Sequence, residues 1–246
     1  MLKKFSGGGN PFLQKAMTST SSSDTYGRVQ EGVMTVQGAI NKTLLLFLIL
    51  LVTATFNYQA QNVTLMIAGG IVGLVLVLIT VFKKEYSPII APIYAGVEGL
   101  LVGGISGIYA GFGGGIVIQA VSLTLLVLFV MLFIHKTGII PVTQKFRMGV
   151  VMATGAVALM YLATLVLGIF GIQIPYIHEG GTLGIIFSLV IIGIASLNLL
   201  LDFDSIVKGA QYGAPKYMEW FSAMGLMITL IWLYLEILRL LAKMKD

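Results

Sequence analysis

The sequence contains no cysteine, only two histidines and few charged residues. Without cysteine, disulfides, thiolate nucleophiles and zinc–thiolate sites are excluded. Charged residues make up only 10% of the chain and hydrophobic residues 57%, whereas soluble domains contain about 25% charged residues. The composition therefore excludes a water-soluble domain and predicts an all-α integral membrane protein with several spans.

Side-chain arrangements typical of enzymes and cofactor sites are also lacking. No serine has a histidine partner, and no carboxylate has a second acid at a fixed catalytic spacing. His135 and His178 fall on opposite sides of the predicted membrane, so they cannot share a metal ion. The glycine-rich segment 111–115 is not followed by the lysine of a phosphate-binding loop. We therefore expect neither an enzyme nor a bound cofactor.

What the sequence does contain is a series of long apolar stretches. The stretch 63–82 is unbroken, and at about 1.5 Å per residue it covers the roughly 30 Å hydrocarbon core of a bilayer. Residues 1–32 are rich in glycine, serine and threonine and predict a flexible polar tail before a seven-helix domain, 33–246. The predicted spans are 33–56, 63–82, 89–109, 116–134, 148–172, 182–201 and 220–241.

Basic residues lie at the ends of the apolar stretches rather than on one face. This spacing is typical of topology determinants and argues against nucleic-acid binding. Seven spans divide these residues between the side that carries the N-terminal tail and the opposite side. The opposite side collects only Arg239, Lys243 and Lys245. The excess of basic residues on the side of the tail predicts a cytoplasmic N-terminus. The basic residues on that side are Lys3, Lys4, Lys15, Arg28, Lys42, Lys83, Lys84, Lys136, Lys145, Arg147, Lys208 and Lys216.

The third span holds Glu98 near its middle, among closely spaced glycines. Small residues let helix backbones approach each other, which predicts a span buried between others. A charge at the centre of a membrane costs about 2.5 to 3.5 kcal/mol. Glu98 is therefore interpreted either as a cation or proton site on a pathway, or as a neutral glutamic acid hydrogen-bonded to a neighbouring helix. The glycines are Gly96, Gly99, Gly103, Gly104 and Gly107.

Further carboxylates cluster where the sixth span ends and the seventh begins. Asp202 and Asp204 end the sixth span, and Glu219 precedes the seventh on the same side. Asn198 lies one turn deeper than Asp202. Three carboxylates around one mouth would attract cations. The alternative for Asp204 and Glu219 is that they are solvated residues at the membrane boundary.

Glu236 and Arg239 are three residues apart and therefore neighbours on one face of the last span. They are interpreted as a structural ion pair or as a plug at the outer end. Acidic sites made of oxygen ligands suit hard cations such as calcium, although the chain has no EF-hand loop. We expect no fixed metal site, but a transient calcium contact at Asp202.

Several segments resemble the bacterial branch of the Bax inhibitor, or transmembrane Bax inhibitor motif (TMBIM), family, and the likeness covers nearly the whole chain. It implies seven helices in a bacterial inner membrane, with the C-terminal helix central and the other six around it. The segments are GVEGLLVGGIS from Gly96, LLLDFDSI from Leu199, APKYMEWFSAMGLMITLIWLYLEILRLLAK from Ala214, and GNPFLQ and MTVQGAINKT nearer the N-terminus.

The resemblance also implies a function. Members of that family are thought to conduct a slow, pH-sensitive calcium leak and, in eukaryotes, to suppress cell death. In the calcium-leak members, a carboxylate of the sixth helix pairs with one of the seventh as a proton-sensitive gate. Asp202 matches the sixth-helix member, and Glu98 resembles the acidic residue of the family's EG motif. Counting back from Arg239, the seventh-helix position falls at Thr229, which cannot share a proton with Asp202.

Two functions from different classes fit these observations. The first is a passive pathway for cations, with calcium as the ion, gated by protonation at Asp202 with help from Glu98. The second is an interaction protein that binds and restrains another membrane protein, such as a protease or a translocon, through the tail and the glycine-rich helices. Mutations should damage a pathway at the buried carboxylates and a binding protein at its tail and exposed helix faces.

Overall fold

The computed structural model describes residues 32–113, 115–171 and 181–245. The predicted flexible tail therefore lies outside the described residues except for Gly32, and so do His178 and Glu179. All the helices of the described part belong to one compact unit, Met34–Asp246. They are α1 (Val36–Ala60), α2 (Val63–Phe82), α3 (Ser87–Ala110), α4 (Ile116–Thr137), α5 (Gln144–Ile169), α6 (Thr182–Gln211) and α7 (Met218–Lys243).

Each of these seven helices is long and apolar enough to cross a membrane. The predicted all-α fold with seven transmembrane helices is therefore confirmed. A short 3-10 turn, Lys84–Tyr86, precedes α3. Because the links between consecutive helices are short, neighbours along the chain run in opposite directions.

Polar caps fix where several helices begin. The hydroxyl of Thr35 accepts a hydrogen bond from the Gly38 N–H at the start of α1, over 2.9 Å. The Asn62 side chain accepts one from the Leu65 N–H at the start of α2, over 3.1 Å. These side chains satisfy backbone donors that have no partner within the helix. The link between α1 and α2 is consequently a tight hairpin.

The start of α1 and the links α2–α3, α4–α5 and α6–α7 lie at the same end of the bundle, which we call the basic end. Two hydrogen bonds connect these segments. The Met34 N–H donates to the Ala214 carbonyl over 2.7 Å. The Ser87 hydroxyl donates to the Tyr217 carbonyl over 2.9 Å. At the opposite end, the Lys245 ammonium donates to the Gly113 carbonyl over 2.5 Å.

The last helix, α7, is the most deeply buried of the seven. It packs against α1, α3, α4 and α6, and it also contacts Tyr161 of α5. Helix α2 packs chiefly against α3. The interior position of α7 explains why it can hold Glu236 in a membrane protein. The expectation that all six other helices surround it stays a prediction.

The sixth helix is longer than the sequence predicted. Its predicted span ends at residue 201, where hydropathy falls, but α6 continues to Gln211 and stops only before Gly213, which has a φ of 65°. No proline interrupts the stretch, and the Lys208 ammonium lies 2.8 Å from Asp204 one turn away, a pairing that supports a helix. Asp202 and Asp204 therefore lie inside a helix, not at its end.

Glycines of α3 bring its backbone against α1. A Cβ atom at Gly103 would collide with the backbone of Ala54, and one at Gly99 would collide with the Thr53 hydroxyl and the Leu50 carbonyl. Half of the apolar window of α3 is buried, second only to α7. The prediction that the glycine-rich span is buried between others agrees with these contacts.

We expect Gly103→Ala to destabilise the protein by about 1 to 3 kcal/mol, because the added methyl group must displace the Ala54 backbone. Thermal unfolding of the purified protein in detergent measures this effect. Gly193→Ala is the matched control, since a Cβ at Gly193 meets no atom within 4 Å. Equal unfolding temperatures for the two variants would contradict the packing argument.

Candidate functional site

The Asp202 carboxylate lies inside α6 with one oxygen unsatisfied. Its Oδ2 is buried and has no hydrogen-bond partner in the described part of the chain. The Thr229 hydroxyl of α7 lies within hydrogen-bonding reach of the carboxylate, and the Arg147 guanidinium of α5 is near enough to interact with it electrostatically. A buried polar atom without a partner is uncommon in folded proteins and calls for a ligand, a water molecule or a proton.

Thr229 faces Asp202 across the α6–α7 interface, at the position that the family resemblance had indicated. Its own hydroxyl donates to the Gly225 carbonyl over 3.3 Å. The partner of Asp202 on α7 is therefore a hydroxyl group, which carries no charge and does not titrate. Asp202 is the only acid of this pair.

Asn198 lies one turn from Asp202 on the same face of α6. Its Nδ2 donates to the Thr154 hydroxyl of α5 over 2.7 Å and to the Ile194 carbonyl over 2.9 Å. Thr154 in turn donates to the Val150 carbonyl over 2.9 Å. Asn198 thus continues the polar surface of α6 from Asp202 toward the middle of the membrane and ties it to α5.

Asp204 is held by two cations. Its Oδ2 lies 2.5 Å from the Arg147 Nη2 and 2.8 Å from the Lys208 Nζ. Arg147 also donates to the Ser205 hydroxyl over 3.3 Å. Because both cations neutralise Asp204, it contributes little attraction for a passing ion. The hypothesis that Asp204 lines one mouth together with Asp202 stays a prediction.

Glu219 is buried at the start of α7, with 2% of its surface exposed. Its Oε1 accepts hydrogen bonds from the N–H and the hydroxyl of Thr35, each over 3.0 Å, and its Oε2 lies 3.6 Å from the Lys42 Nζ. Gly38 leaves the space that the carboxylate occupies. The interpretation of Glu219 as a solvated boundary residue or a mouth residue is wrong, because the start of α1 folds over it.

Glu98 lies at the interface of α3 with α2, where 9% of it is exposed. A Cβ at Gly73 of α2 would meet its Oε2, and Tyr94 one turn earlier on α3 hydrogen-bonds to it. The described contacts of Asp202 lie instead on α5 and α7. The structure does not bring these two carboxylates together.

Glu236 and Arg239 form a buried ion pair near the opposite end of α7. Glu236 is 1% exposed, and its Oε2 lies 3.0 Å from the Arg239 Nη1. The Tyr161 hydroxyl of α5 donates to the Glu236 Oε1 over 2.6 Å and accepts from the Arg239 Nη1 over 2.7 Å. The Trp232 indole N–H donates to the same Oε1 over 3.2 Å. Tyr161 and Trp232 were not among the site residues predicted from the sequence.

Lys243 is a second cation that the bundle buries near this end, with 7% of it exposed. Its ammonium donates to the Gly184 carbonyl over 3.3 Å and to the Ser188 hydroxyl over 3.1 Å. Glu236, Arg239 and Lys243 carry one negative and two positive formal charges near this end of α7. The two ends of the α6–α7 interface therefore differ. The unsatisfied carboxylate of Asp202 lies nearer the basic end, and the hydrogen-bonded cations Arg239 and Lys243 lie nearer the opposite end.

Among the residues that the structure describes, no group of three histidines or carboxylates is arranged to hold a metal ion. The polar groups around Asp202 are a hydroxyl, an amide and a guanidinium, and they do not form a closed coordination shell. Such an arrangement can offer a cation brief contact, not a tight binding site.

A family model described as Bax inhibitor 1 like matches residues 10–246 of the chain. The match thus extends over all seven helices, including the segments around Glu98 and Asp202. A search of curated proteins found no match to the chain.

The Glu219 contacts predict a stability effect. Glu219→Ala removes the charged acceptor of the Thr35 N–H and hydroxyl and the partner of Lys42, so we expect a loss of about 2 kcal/mol in unfolding free energy. Thermal unfolding in detergent tests this. Glu85→Ala, at an exposed position before α3, is the control and should change little. If Glu219→Ala unfolds at the wild-type temperature, the contacts of Glu219 with Thr35 and Lys42 do not stabilise the protein.

Proposed function

Because the chain belongs to the Bax inhibitor 1-like family, we propose that it provides a passive pathway for cations, with calcium as the ion and protonation of Asp202 as the gate. One observation carries this proposal: a carboxylate oxygen inside a membrane-spanning helix that is buried and lacks a partner. Ionisable residues within membrane spans commonly mark ion or proton routes. Among the buried acids that the structure describes, only Asp202 has a carboxylate oxygen without a hydrogen-bond partner, so this oxygen is the one available to an ion.

The chemistry around Asp202 suits a leak better than storage or tight binding. Conduction requires that an ion bind favourably enough to enter and weakly enough to leave. Carboxylate, hydroxyl and amide oxygens are the ligands that calcium prefers, and Asp202, Thr229 and Asn198 supply one of each. Without a closed shell of ligands, calcium would contact Asp202 briefly and move on.

Gating by a proton follows from the charge of Asp202. The ionised carboxylate attracts a cation, and the protonated acid does not. Thr229 cannot take up a second proton, so the gate has one titrating group instead of a shared pair. The guanidinium of Arg147 is the charge that acts on it from α5, and Asp204 holds that guanidinium in place.

The alternative function is an interaction protein that restrains another membrane protein, such as a protease or a translocon. One observation favours it: α5 is the least buried of the seven spans, and Cβ atoms at Gly149, Gly155 and Gly168 would meet nothing within 4 Å. Exposed small residues allow a second helix to approach closely. Crosslinking from this face in native membranes would recover a stoichiometric partner if this function holds, and none if it does not.

The pathway is tested by calcium flux into dye-loaded liposomes that contain the purified protein, measured from mildly acidic to mildly alkaline pH. We expect the wild-type flux to depend on pH. The flux through Asp202→Asn should be independent of pH and equal to the wild-type flux at the acidic limit, because asparagine imitates the protonated acid.

Glu98→Gln is the matched control, since it neutralises another buried carboxylate that contacts α2 instead of α7. We expect it to keep the pH dependence. An Asp202→Asn variant with the wild-type pH profile would remove Asp202 as the gate. An absence of wild-type flux at every pH would favour the interaction function.

A further inference from the structure

Three polar side chains of α5 face the rest of the bundle at intervals of seven residues: Arg147, Thr154 and Tyr161. Seven residues make about two helical turns, so the three lie on one face. Each contacts α6 or α7 through its side chain. Between Arg147 and Tyr161 the helix rises about 21 Å, most of the thickness of a hydrocarbon core.

The partners of these side chains include the candidate pathway residues. Thr154 accepts from Asn198, one turn from Asp202, and Arg147 pairs with Asp204 on the other side of Asp202 along α6. Tyr161 contacts both members of the Glu236–Arg239 pair. Three polar contacts, about two turns apart with Val150 and Val157 between them, therefore join α5 to α6 and α7. We call this line of contacts the polar seam, and the unsatisfied oxygen of Asp202 lies beside it.

Helix α5 is also the least buried of the seven spans, and it packs chiefly against α6. Only Val150 and Val157 among its apolar side chains are buried in the described part, with exposures of 5% and 8%. The glycine-rich α3, by contrast, is locked against α1 by backbone contact. A helix held mainly by a few polar contacts can move with less loss of packing than one locked by close backbone contact.

Near Tyr161 the seam meets the Arg239 guanidinium, which is paired with Glu236, and Lys243 lies one turn further along α7. A cation that followed the seam would meet this group of charges as a barrier. Tyr161 binds Glu236 and Arg239 at once, so its hydroxyl keeps the ion pair in this position. The barrier depends on α5 staying where it is, because Tyr161 belongs to α5.

We propose that the cation pathway runs along the seam between α5 and the α6–α7 pair, and that Tyr161 holds its barrier shut by binding both Glu236 and Arg239. This inference rests on the proposed function. It adds the route of the ion, the residue that controls the barrier and the helix that moves.

The first test is Tyr161→Phe, which keeps the ring and removes the hydroxyl. We expect the calcium flux to rise severalfold at every pH, while its dependence on Asp202 remains. Tyr234→Phe is the matched control: its hydroxyl is also buried and lies 2.6 Å from Ser106 Oγ, but it joins α7 to α3, away from the seam. That variant should conduct as wild type does. Retention of the trapped dye shows that the vesicles are intact.

The second test uses the absence of cysteine, since an introduced pair then provides the only thiols. Thr154→Cys with Asn198→Cys, joined by a short thiol crosslinker, fixes α5 to α6. We expect the crosslinked protein to lose most of the flux that the same variant shows before crosslinking. Ser106→Cys with Tyr234→Cys fixes α3 to α7 instead, and crosslinking there should leave the flux unchanged.

Wild-type flux, measured beside these variants, separates the two possible failures. If wild type conducts in an Asp202-dependent manner while the α5–α6 crosslink and Tyr161→Phe have no effect, the seam is not the route and the proposed function stands. If wild type conducts nothing, the proposed function fails, and the inference fails with it.

Discussion

The free-energy cost of placing a charge inside a membrane governs how the interior of this protein is arranged. Glu219 sits beneath Thr35 and Lys42, Glu236 is paired with Arg239, and Asp204 lies between Arg147 and Lys208. Each of these acids thereby fastens two helices or two turns together. Asp202 also has a buried carboxylate oxygen, but that oxygen has no hydrogen-bond partner. A fold that satisfies its other acids keeps one partly unsatisfied, which is how functional sites commonly depart from the rules that stabilise a fold.

The same bundle combines a tightly packed part with a loosely attached one. Glycines let α3 approach α1 until their backbones touch, so relative movement there would break many contacts at once. Helix α5 has no such contact in the described part: Cβ atoms could be added at its glycines without meeting another atom within 4 Å. This asymmetry makes α5 the natural moving element of the proposed pathway. It also explains why the exposed face of α5 is the best argument for the competing function.

Much of the fold followed from the sequence because hydropathy alone defines membrane spans. The second span was predicted with its observed bounds, because polar residues flank it directly on both sides. Helix α6 was predicted ten residues too short, because its last turns are polar. The family resemblance had also indicated Thr229 as the α7 counterpart of Asp202, and the two side chains lie within hydrogen-bonding reach. The partners of Glu219 and Glu236 could not be predicted in this way, because Thr35 and Tyr161 lie on helices remote in sequence. The spacing of Arg147, Thr154 and Tyr161 was a visible signal that a search for heptads in α5 would have found.

The basic residues Arg239, Lys243 and Lys245 lie on the side opposite the predicted cytoplasmic side. The structure accounts for two of them: Arg239 pairs with Glu236 and contacts Tyr161, and Lys243 is bound inside the bundle by Gly184 and Ser188. Their charges are used in packing α7 against α5 and α6, so they are not free positive charges of a loop. Only Lys245, which binds the Gly113 carbonyl, remains beyond the end of α7. Lys42, Arg147 and Lys208 on the opposite side are paired with acids in the same way, so the cytoplasmic N-terminus stays a prediction from the count of basic residues.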